Sequence, residues 1–178
     1  MAGASRLGAR PDAKMSKTVL VLAVPHQLQG PKFLGFVADP SYNLLVKSAV
    51  LRRGVNFIFE EASGLGPSVA EEIARTLLGP GHYMDIDPSR EEREKYGIAK
   101  ETGEGNPIDP FNSSDVYYCL FLNEQMKREE LWLRRIQQQD FATGLVIIGL
   151  AHNLSFAFRL GSAGIGAEPF NYIPYGKL

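Results

Sequence analysis

The chain of 178 residues has the length of one domain with its own core, and its 44% hydrophobic and 22% charged residues are typical of a globular protein. Its formal net charge of -1 argues against a surface for nucleic acid and gives no electrostatic reason for binding an acidic membrane. The one cysteine, Cys119, excludes an internal disulfide, and no stretch reaches the ~20 apolar residues of a membrane span. We therefore expect a cytoplasmic protein.

The N-terminal part of the chain predicts a tail followed by a folded domain. Residues 1–16 have no long apolar block and predict a disordered tail, whereas residues 17–178 predict a single α/β domain. Residues 19–24 are continuously apolar, as expected for a strand that is covered on both faces. A helix begins after Asp39, an N-cap residue followed by proline, and ends at Gly54.

The rest of the chain continues the alternation of strands and helices. Pro169 and Pro174 confine the last strand to a sheet edge, and the glycines and prolines of residues 99–112 predict a long loop. Alternation of this kind predicts a mostly parallel sheet of four to five strands with helices on both faces. The further predicted strands lie within residues 55–62, 82–87, 144–151 and 166–174, and the further helices within residues 68–78, 89–98, 114–138 and 153–164.

Polar side chains follow four of the predicted strands. Ligands of open parallel sheets bind beyond the carboxyl ends of the strands, so these side chains are expected to meet at one edge. No dinucleotide-binding GxGxxG motif follows the first strand, and no P-loop motif occurs in the chain. The polar residues at the strand ends are His26, Glu60, Glu61, Asp85, Asp87 and His152.

Three chemistries fit this set of residues. Two imidazoles and a carboxylate can hold a divalent metal ion and leave coordination positions for water and substrate. A neutral histidine that is oriented by a carboxylate can act as a general base. Two protonated histidines can bind an anion. The residues are far apart in the sequence, so no local spacing decides between these possibilities.

Structural roles are the alternative for each of these residues. His26 and His152 could cap a turn and a helix, and Asp87 could cap the helix that follows it. If the second strand continues through Glu60 and Glu61, their side chains point to opposite faces, and at most one of them reaches the site. His82 opens its strand at the opposite edge of the sheet, where a structural or exposed position is expected.

The long predicted helix carries an arginine on an apolar stripe. Phe121, Gln125, Arg128, Trp132 and Ile136 recur at helical spacing and form one face. A guanidinium that points inward needs an acceptor, because an unpaired buried charge is very costly. A carboxylate of the site or an anionic substrate is the expected partner, and the alternative is that Arg128 reaches water along its stem.

Four segments resemble, in order, the motifs of the TraB/TIKI proteins. VLVLAVPHQ is similar to the first GxxH motif of that family, FIFEEA to a strand that ends in glutamate, and REELWLRRI to a helix motif with an arginine. GLVIIGLAHNLSFAFRLGSAG resembles the last motif, with Gly149 and His152 as its GxxH and with Leu160 and Gly164 in the following helix. The first motif departs from the family because Ala23 stands in the place of glycine.

The resemblance implies a hydrolase of the superfamily that also contains erythromycin esterase and the haem-binding protein ChaN. On this interpretation His26, Glu60 and His152 bind manganese, iron, cobalt or zinc, or one histidine serves as the base. Glu60 or Glu61 completes the metal shell or activates water. Arg128 then holds a substrate anion or stabilises an anionic intermediate.

Two other functional classes remain possible. The first is a ligand-binding or sensor domain without turnover, which Ala23 and the small size favour. The second is a phosphate-directed enzyme in which Asp85 and Asp87 surround a magnesium ion. The expected partners are a small-molecule or peptide substrate and, as a further possibility, a second copy of the chain.

Overall fold

The computed structural model describes residues 16–30, 38–62, 67–98 and 115–174, and for residues 115–122 it describes the backbone. The predicted tail, apart from Ser16, and the predicted loop over residues 99–112 lie outside the described residues. The strands are β1 (Thr18–Val24), β2 (Phe57–Glu60), β3 (Tyr83–Asp85), β4 (Thr143–Gly149) and β5 (Gly166–Asn171). The helices are α1 (Pro40–Arg53), α2 (Val69–Leu77), α3 (Arg90–Tyr96), α4 (Asp115–Gln138) and α5 (Asn153–Ser162).

The five strands form one parallel sheet in the order β3-β2-β4-β1-β5. β1 and β4 lie side by side, in register from the Thr18–Thr143 pair to the Val24–Gly149 pair. The predicted α/β fold with a parallel sheet is confirmed. Parallel pairing brings the residues that follow these strands to one edge of the sheet.

Helices cover both faces of the sheet, as predicted. Alternate residues of β1 point to opposite sides, so Leu22 packs with Tyr42 and Val46 of α1, whereas Val21 lies in the cluster of Trp132 and Phe156. α1 and α2 therefore cover one face, and α4 and α5 cover the other. This double burial explains why the sequences of β1 and β4 are continuously apolar.

The helix boundaries follow from local capping chemistry. The Asp39 carboxylate accepts hydrogen bonds from the backbone N–H groups of Ser41 and Tyr42, and α1 ends at Gly54 with a φ of 65°. Ser89 and Glu92 form a reciprocal capping box at the start of α3. A side-chain N-cap contributes about 1 kcal/mol to the stability of a helix. These caps join residues that are close in sequence, so they mark the helix ends independently of tertiary packing.

Proline limits β5 to the edge of the sheet. The backbone N–H groups of Gly166 and Tyr172 donate to carbonyls of Lys17 and Ala23, next to or within β1. Because the direction of the N–H alternates along a strand, position 169 faces away from the sheet, where Pro169 has no hydrogen to donate. The predicted edge position of this strand is confirmed.

The candidate site lies at the carboxyl ends of the neighbouring strands β1 and β4, where the chain turns toward opposite faces of the sheet. After β1 the chain enters a short 3-10 turn, His26–Leu28, and then α1; after β4 it enters the turn Leu150–His152 and then α5. β4 ends two residues earlier than predicted, and this turn carries His152 beyond the sheet edge. Such a divergence of connections opens the crevice in which parallel sheets bind ligands. Within the described residues, no helix is both long enough and apolar enough to cross a bilayer.

Candidate functional site

His26 lies at the carboxyl end of β1 with one ring nitrogen engaged. Its Nδ1 is 2.9 Å from Oε1 of the buried Gln29, and its Nε2 is 3.9 Å from Oε1 of Glu61. With an amide oxygen as its neighbour, Nδ1 carries the hydrogen in the neutral ring, and Nε2 is then the basic nitrogen.

Gly149 gives the His26 ring the space that it occupies. A Cβ at position 149 would lie 2.7 Å from Nε2 of His26 and 3.4 Å from Oε2 of Glu61. The backbone angles of Gly149, φ -63° and ψ 150°, are open to any residue, so the requirement for glycine comes from the neighbouring side chains. Position 149 is the glycine of the last GxxH segment, and the structure gives that glycine a steric role.

Glu61, Arg128 and Asp87 form an ion-pair cluster beside His26, in which the two carboxylates are buried and Arg128 is half-buried. Nη2 of Arg128 donates to Oε1 of Glu61 at 2.6 Å and to Oδ1 of Asp87 at 2.7 Å. The second oxygen of Glu61 accepts from the backbone N–H of Gly149 at 2.7 Å. Of the two positions that the sequence left open for Arg128, the structure shows the one in which the guanidinium pairs with carboxylates.

Asp87 is held by further cations, which explains its position better than helix capping does. Nη2 of Arg93 donates to Oδ2 of Asp87 at 2.6 Å, and Nη1 of Arg135 donates to the Asp87 backbone carbonyl at 2.8 Å. Ser89 is the side-chain cap of α3 instead. Each Asp87 carboxylate oxygen therefore has an arginine donor.

Glu60 and Glu61 point to opposite faces of the sheet, as the alternation along β2 predicts. Oε2 of Glu60 accepts hydrogen bonds from the hydroxyls of Ser68 and Tyr83 on the side of the sheet that α1 and α2 cover. Burial, and then the charge of Glu60, raise the pKa of Tyr83 far above the ordinary value of a phenol. Of the two glutamates, Glu61 is the one in contact with His26 and Arg128.

His152 forms a second buried pair with Glu129 of α4. His152 is 4% exposed, and its Nδ1 is 2.9 Å from Oε1 of Glu129. Ser155 also donates to this oxygen at 2.6 Å, and Nε of Arg159 lies 3.4 Å from Oε2. His152 occupies the N-cap position of α5 without a capping hydrogen bond from its side chain, so capping does not explain it.

The partners of Glu129 keep its carboxylate ionised. Burial by itself would raise the Glu129 pKa, but the hydrogen bonds from His152 and Ser155 and the charge of Arg159 outweigh burial, so the pKa is lowered. Because an ionised carboxylate can only accept, the hydrogen of the neutral imidazole lies on Nδ1 of His152. Its Nε2 is therefore a proton acceptor.

Trp132 contacts both the cluster around Arg128 and the His152–Glu129 pair. Its ring lies 4.8 Å from the His152 ring, edge to face, and Cζ of Arg128 lies 5.3 Å from its centroid. A continuous series of contacts thus runs from His26 through Glu61, Arg128 and Trp132 to His152. Trp132 is fully buried, and in the described part of the chain its indole N–H has no hydrogen-bond acceptor.

The predicted metal ligands His26, Glu60 and His152 do not fit a ligand set. Glu60 binds two hydroxyls on the far side of the sheet, and Nδ1 of His152 faces a carboxylate. Over the described residues, no group of three or more histidine, cysteine, aspartate or glutamate side chains is arranged to hold a metal ion. We therefore derive no chemical step through a metal.

The aspartates do not fit a magnesium site. Both Asp87 oxygens accept from arginines. Oδ1 of Asp85 accepts from the backbone N–H groups of Ala62 and Asp87. Magnesium needs oxygens that are free to coordinate it.

Sequence reasoning missed Glu129, although a signal for it was present. Glu129 lies four residues after Gln125 and three before Trp132, so it belongs to the same helical face as those two side chains. A charged residue at that spacing needs a buried partner as much as Arg128 does. Gln29 carried no comparable signal, because the 3-10 turn alone brings it to the His26 ring.

We compared the chain with models of known protein families, with curated proteins and with solved structures, and none of the three comparisons finds a match.

Proposed function

We propose that the protein is a hydrolase that cleaves an ester or peptide bond with a histidine as general base. The observation that supports this function best is the buried hydrogen bond between Nδ1 of His152 and Oε1 of Glu129 at 2.9 Å. A carboxylate that orients an imidazole through Nδ1 selects the tautomer in which Nε2 can take a proton. It also stabilises the imidazolium that results.

The proposed reaction needs one water molecule. Nε2 of His152 takes a proton from the water as its oxygen attacks the carbonyl carbon, and Glu129 stabilises the positive ring. The tetrahedral intermediate collapses, the bond to the leaving alcohol or amine breaks, and the proton passes to that group. General-base catalysis of this type contributes roughly 10²–10⁴-fold to the rate.

Trp132 is the proposed donor to the oxyanion. A buried N–H without an acceptor costs about 1–3 kcal/mol, so the indole N–H of Trp132, whose ring centroid lies 4.8 Å from that of His152, calls for an explanation. The oxygen of a substrate supplies the acceptor in our proposal. Donors that are in place before the reaction stabilise charge that develops on an oxyanion.

His26, Glu61 and Arg128 form the second half of the proposed site. His26 binds the leaving group and orients it for the proton that His152 returns, and Glu61 Oε1 lies 3.9 Å from Nε2 of His26. Arg128 acts as a positioning residue, because its Nη2 already binds Glu61 and Asp87. This role differs from the contact with a substrate anion that the sequence suggested.

Other expectations belong to the same proposal. The resemblance to the TraB/TIKI and erythromycin-esterase-like proteins agrees best with their histidine-base branch, because the metal ligand set does not fit. We propose the cytoplasm as the location, for which a chain with one cysteine is suited. A small molecule or a peptide is the proposed substrate.

The test is turnover of a panel of p-nitrophenyl esters and fluorogenic peptides. We expect His152→Gln to lower kcat/KM about 10²-fold or more, and Glu129→Gln to lower it less, because the imidazole remains. His82→Gln is the matched control, since His82 is exposed at the other end of the sheet, where its Nδ1 lies 2.8 Å from the Asn56 carbonyl oxygen. Activity should survive metal chelation.

Two outcomes would contradict the proposal. The first is that folded native protein turns over no ester or peptide of the panel. The second is that His152→Gln retains the activity of His82→Gln, which would show that another group is the base. Bound metal that is lost in both His26→Ala and His152→Ala would restore the metal-dependent hypothesis.

A ligand-binding domain without turnover is the second candidate, and one observation favours it. Glu61, Asp87, Arg93 and Arg128 bind one another, so the structure already accounts for their charges. A site of this kind would recognise a ligand through the two imidazoles. Ligands from the same panel that raise Tm without being cleaved would support this candidate.

A further inference from the structure

The two histidines of the candidate site have different acceptors at Nδ1. Nδ1 of His152 lies 2.9 Å from the Glu129 carboxylate, whereas Nδ1 of His26 lies 2.9 Å from the amide oxygen of Gln29. A charged acceptor stabilises the imidazolium that forms when a base takes up a proton, whereas a neutral acceptor mainly fixes the tautomer. The difference indicates that the two rings have different tasks.

Gln29 is held in place by the backbone around it. Its side chain is fully buried, its backbone N–H donates to the His26 carbonyl at 3.0 Å, and its own carbonyl accepts from the N–H of Val69 at 2.7 Å. The next residue, Gly30, packs so closely that an added Cβ would lie 3.1 Å from Cα of Ser68. The beginning of α2 therefore fixes the position from which the Gln29 amide reaches the His26 ring.

The other side of the His26 ring presents acceptors. With the hydrogen on Nδ1, Nε2 carries a lone pair, and Oε1 of Glu61 lies 3.9 Å from it. Both oxygens of Glu61 already accept, one from Arg128 and one from the backbone N–H of Gly149, so this carboxylate has no hydrogen to donate. The His26 side chain is 43% exposed, so a ligand can reach it. A ligand group that binds there must supply a donor.

We propose that the leaving group of the substrate carries an N–H, so that the protein cleaves a secondary amide in preference to an ester, and that Gln29 is the positioning residue for this choice. The inference rests on the proposed hydrolase and names the substrate class of the same site. An amide N–H donates to Nε2 of His26. An ester oxygen at that position has lone pairs alone and would face the lone pair of the ring.

The same contact suits the breaking of the C–N bond. After water has attacked, the nitrogen of the tetrahedral intermediate carries one hydrogen and one lone pair. When the hydrogen points to His26, the lone pair remains for the proton that the His152 imidazolium returns. The C–N bond then breaks with its electron pair on nitrogen, a primary amine and a carboxylic acid leave, and His152 is neutral again. The Glu61 carboxylate lies on the side where positive charge develops on the nitrogen.

The test compares a fluorogenic peptide with its depsipeptide, in which an ester oxygen replaces the N–H of the scissile bond. His26→Phe keeps a ring beside Gly149 but removes the acceptor. We expect it to lower kcat/KM for the peptide at least about tenfold more than for the depsipeptide, because a site that binds an N–H discriminates against the analogue without it. His82→Phe is the matched control, since His82 is exposed at the other end of the sheet. Equal losses for the two substrates would overturn the inference.

A second variant tests Gln29, which touches no substrate. Gln29→Leu removes the acceptor from Nδ1 of His26 at a buried position, and we expect kcat/KM to fall more for the peptide than for the depsipeptide. Gln29→Glu, whose carboxylate also accepts from Nδ1, should restore the difference between the two substrates. Gln27→Leu is the matched control, because Gln27 lies in the same turn and is exposed. A purely structural role of Gln29 would lower turnover of both substrates equally and would contradict the proposal.

The tautomer of His26 can be measured without turnover. Long-range ¹H–¹⁵N spectra distinguish a protonated from an unprotonated ring nitrogen, and the signals that disappear in His26→Phe assign the ring. We expect the hydrogen of the neutral ring on Nδ1 in the native protein, and a shift toward Nε2 in Gln29→Leu. A hydrogen on Nε2 in the native protein, which the reverse orientation of the Gln29 amide would produce, would overturn the inference.

Failure of this inference differs from failure of the proposed hydrolase. Cleavage of the depsipeptide without cleavage of any peptide would overturn the preference for an amide and leave the hydrolase standing. Cleavage of neither substrate would overturn the hydrolase, and the inference with it.

Discussion

Arg128 is the side chain that keeps two buried carboxylates together. Its Nη2 lies 2.6 Å from Glu61 and 2.7 Å from Asp87, and the exposed fractions of the three side chains are all low. Without a cation between them, the two carboxylates would repel each other in a medium that screens charge poorly. The stability of this edge of the sheet should therefore depend on Arg128 more than on any surface ion pair.

Arg128→Leu should be strongly destabilising. Removal of one partner from a buried ion pair costs roughly 3–5 kcal/mol, because the remaining charges stay desolvated. Urea unfolding measures the change in the free energy of unfolding. Arg134→Leu is the control, because Arg134 pairs with Glu130 on the exposed side of α4 and should cost less than about 1 kcal/mol. Equal losses of the free energy of unfolding in the two variants would show that the cluster around Arg128 stabilises the fold no more than a surface ion pair does.

Gly149→Ala should displace the His26 ring. The added methyl group would lie 2.7 Å from Nε2 of His26, so the ring or the end of β4 must move, at a cost of about 1–3 kcal/mol. The ring resonances of His26 in an NMR spectrum report the shift, and the activity should fall with it. Gly161→Ala, where the new methyl meets nothing, is the control. Unchanged His26 resonances in Gly149→Ala would mean that the His26 ring does not lie against position 149.

At the scale of elements, Glu129 ties α4 to α5. It accepts from His152 and Ser155 and lies near Arg159, all three of which belong to α5 or to its N-cap. Trp132, one turn later on α4, adds edge-to-face contacts with His152 and Phe156. The two helices that carry the proposed base and its carboxylate are thus joined by polar and apolar contacts together.

The α4–α5 contact should weaken in acid. The Glu129 pKa is lowered in the folded protein, so its carboxylate stabilises the fold above the ordinary value of 4.5. That stabilisation is lost as the pH falls from this value through the lowered pKa. Glu129→Gln should therefore be less stable than the native protein at pH 7, and the difference should shrink below pH 4.5.

Urea unfolding between pH 3 and pH 7 measures this difference. Glu94→Gln is the control, because Glu94 forms an exposed pair with Arg90, which contributes within about 1 kcal/mol. A difference between Glu129→Gln and the native protein that is the same at every pH would contradict the assignment of an ionised Glu129.

At the scale of the whole molecule, both edges of the sheet are unsuited to adding another strand. β3 has three residues, and in β5 the outward position 169 is a proline. Short or proline-bearing edges protect a parallel sheet from pairing with other chains.

Pro169→Val should increase aggregation. The substitution restores an outward N–H between those of Ala167 and Asn171 and adds a residue with high β-propensity to an exposed edge. Light scattering at rising protein concentration should detect large aggregates that the native protein does not form. Pro174→Val, which follows β5, is the control and should not aggregate. Equal scattering from the two variants would show that the edge is protected in another way.

Much of the fold followed from local patterns, whereas the partners within the site did not. The caps at Asp39 and Ser89 and the apolar runs of β1 and β4 are short-range signals, and the structure confirms them. The predicted strands β2, β3 and β4 are longer than the observed ones, because pairing with neighbouring strands decides where a strand ends. Local sequence carries no record of that pairing.

The sequence by itself determined the α/β class and the strand ends at which His26, Glu60, Glu61 and His152 lie. Periodicity and the edge rule for parallel sheets are local or general, so one chain suffices to apply them. Only the tertiary structure decided that His152 pairs with Glu129, that Glu60 faces Ser68 and Tyr83, and that Gly149 accommodates His26. Each of these contacts joins different elements, and their relative placement depends on the packing of the whole core.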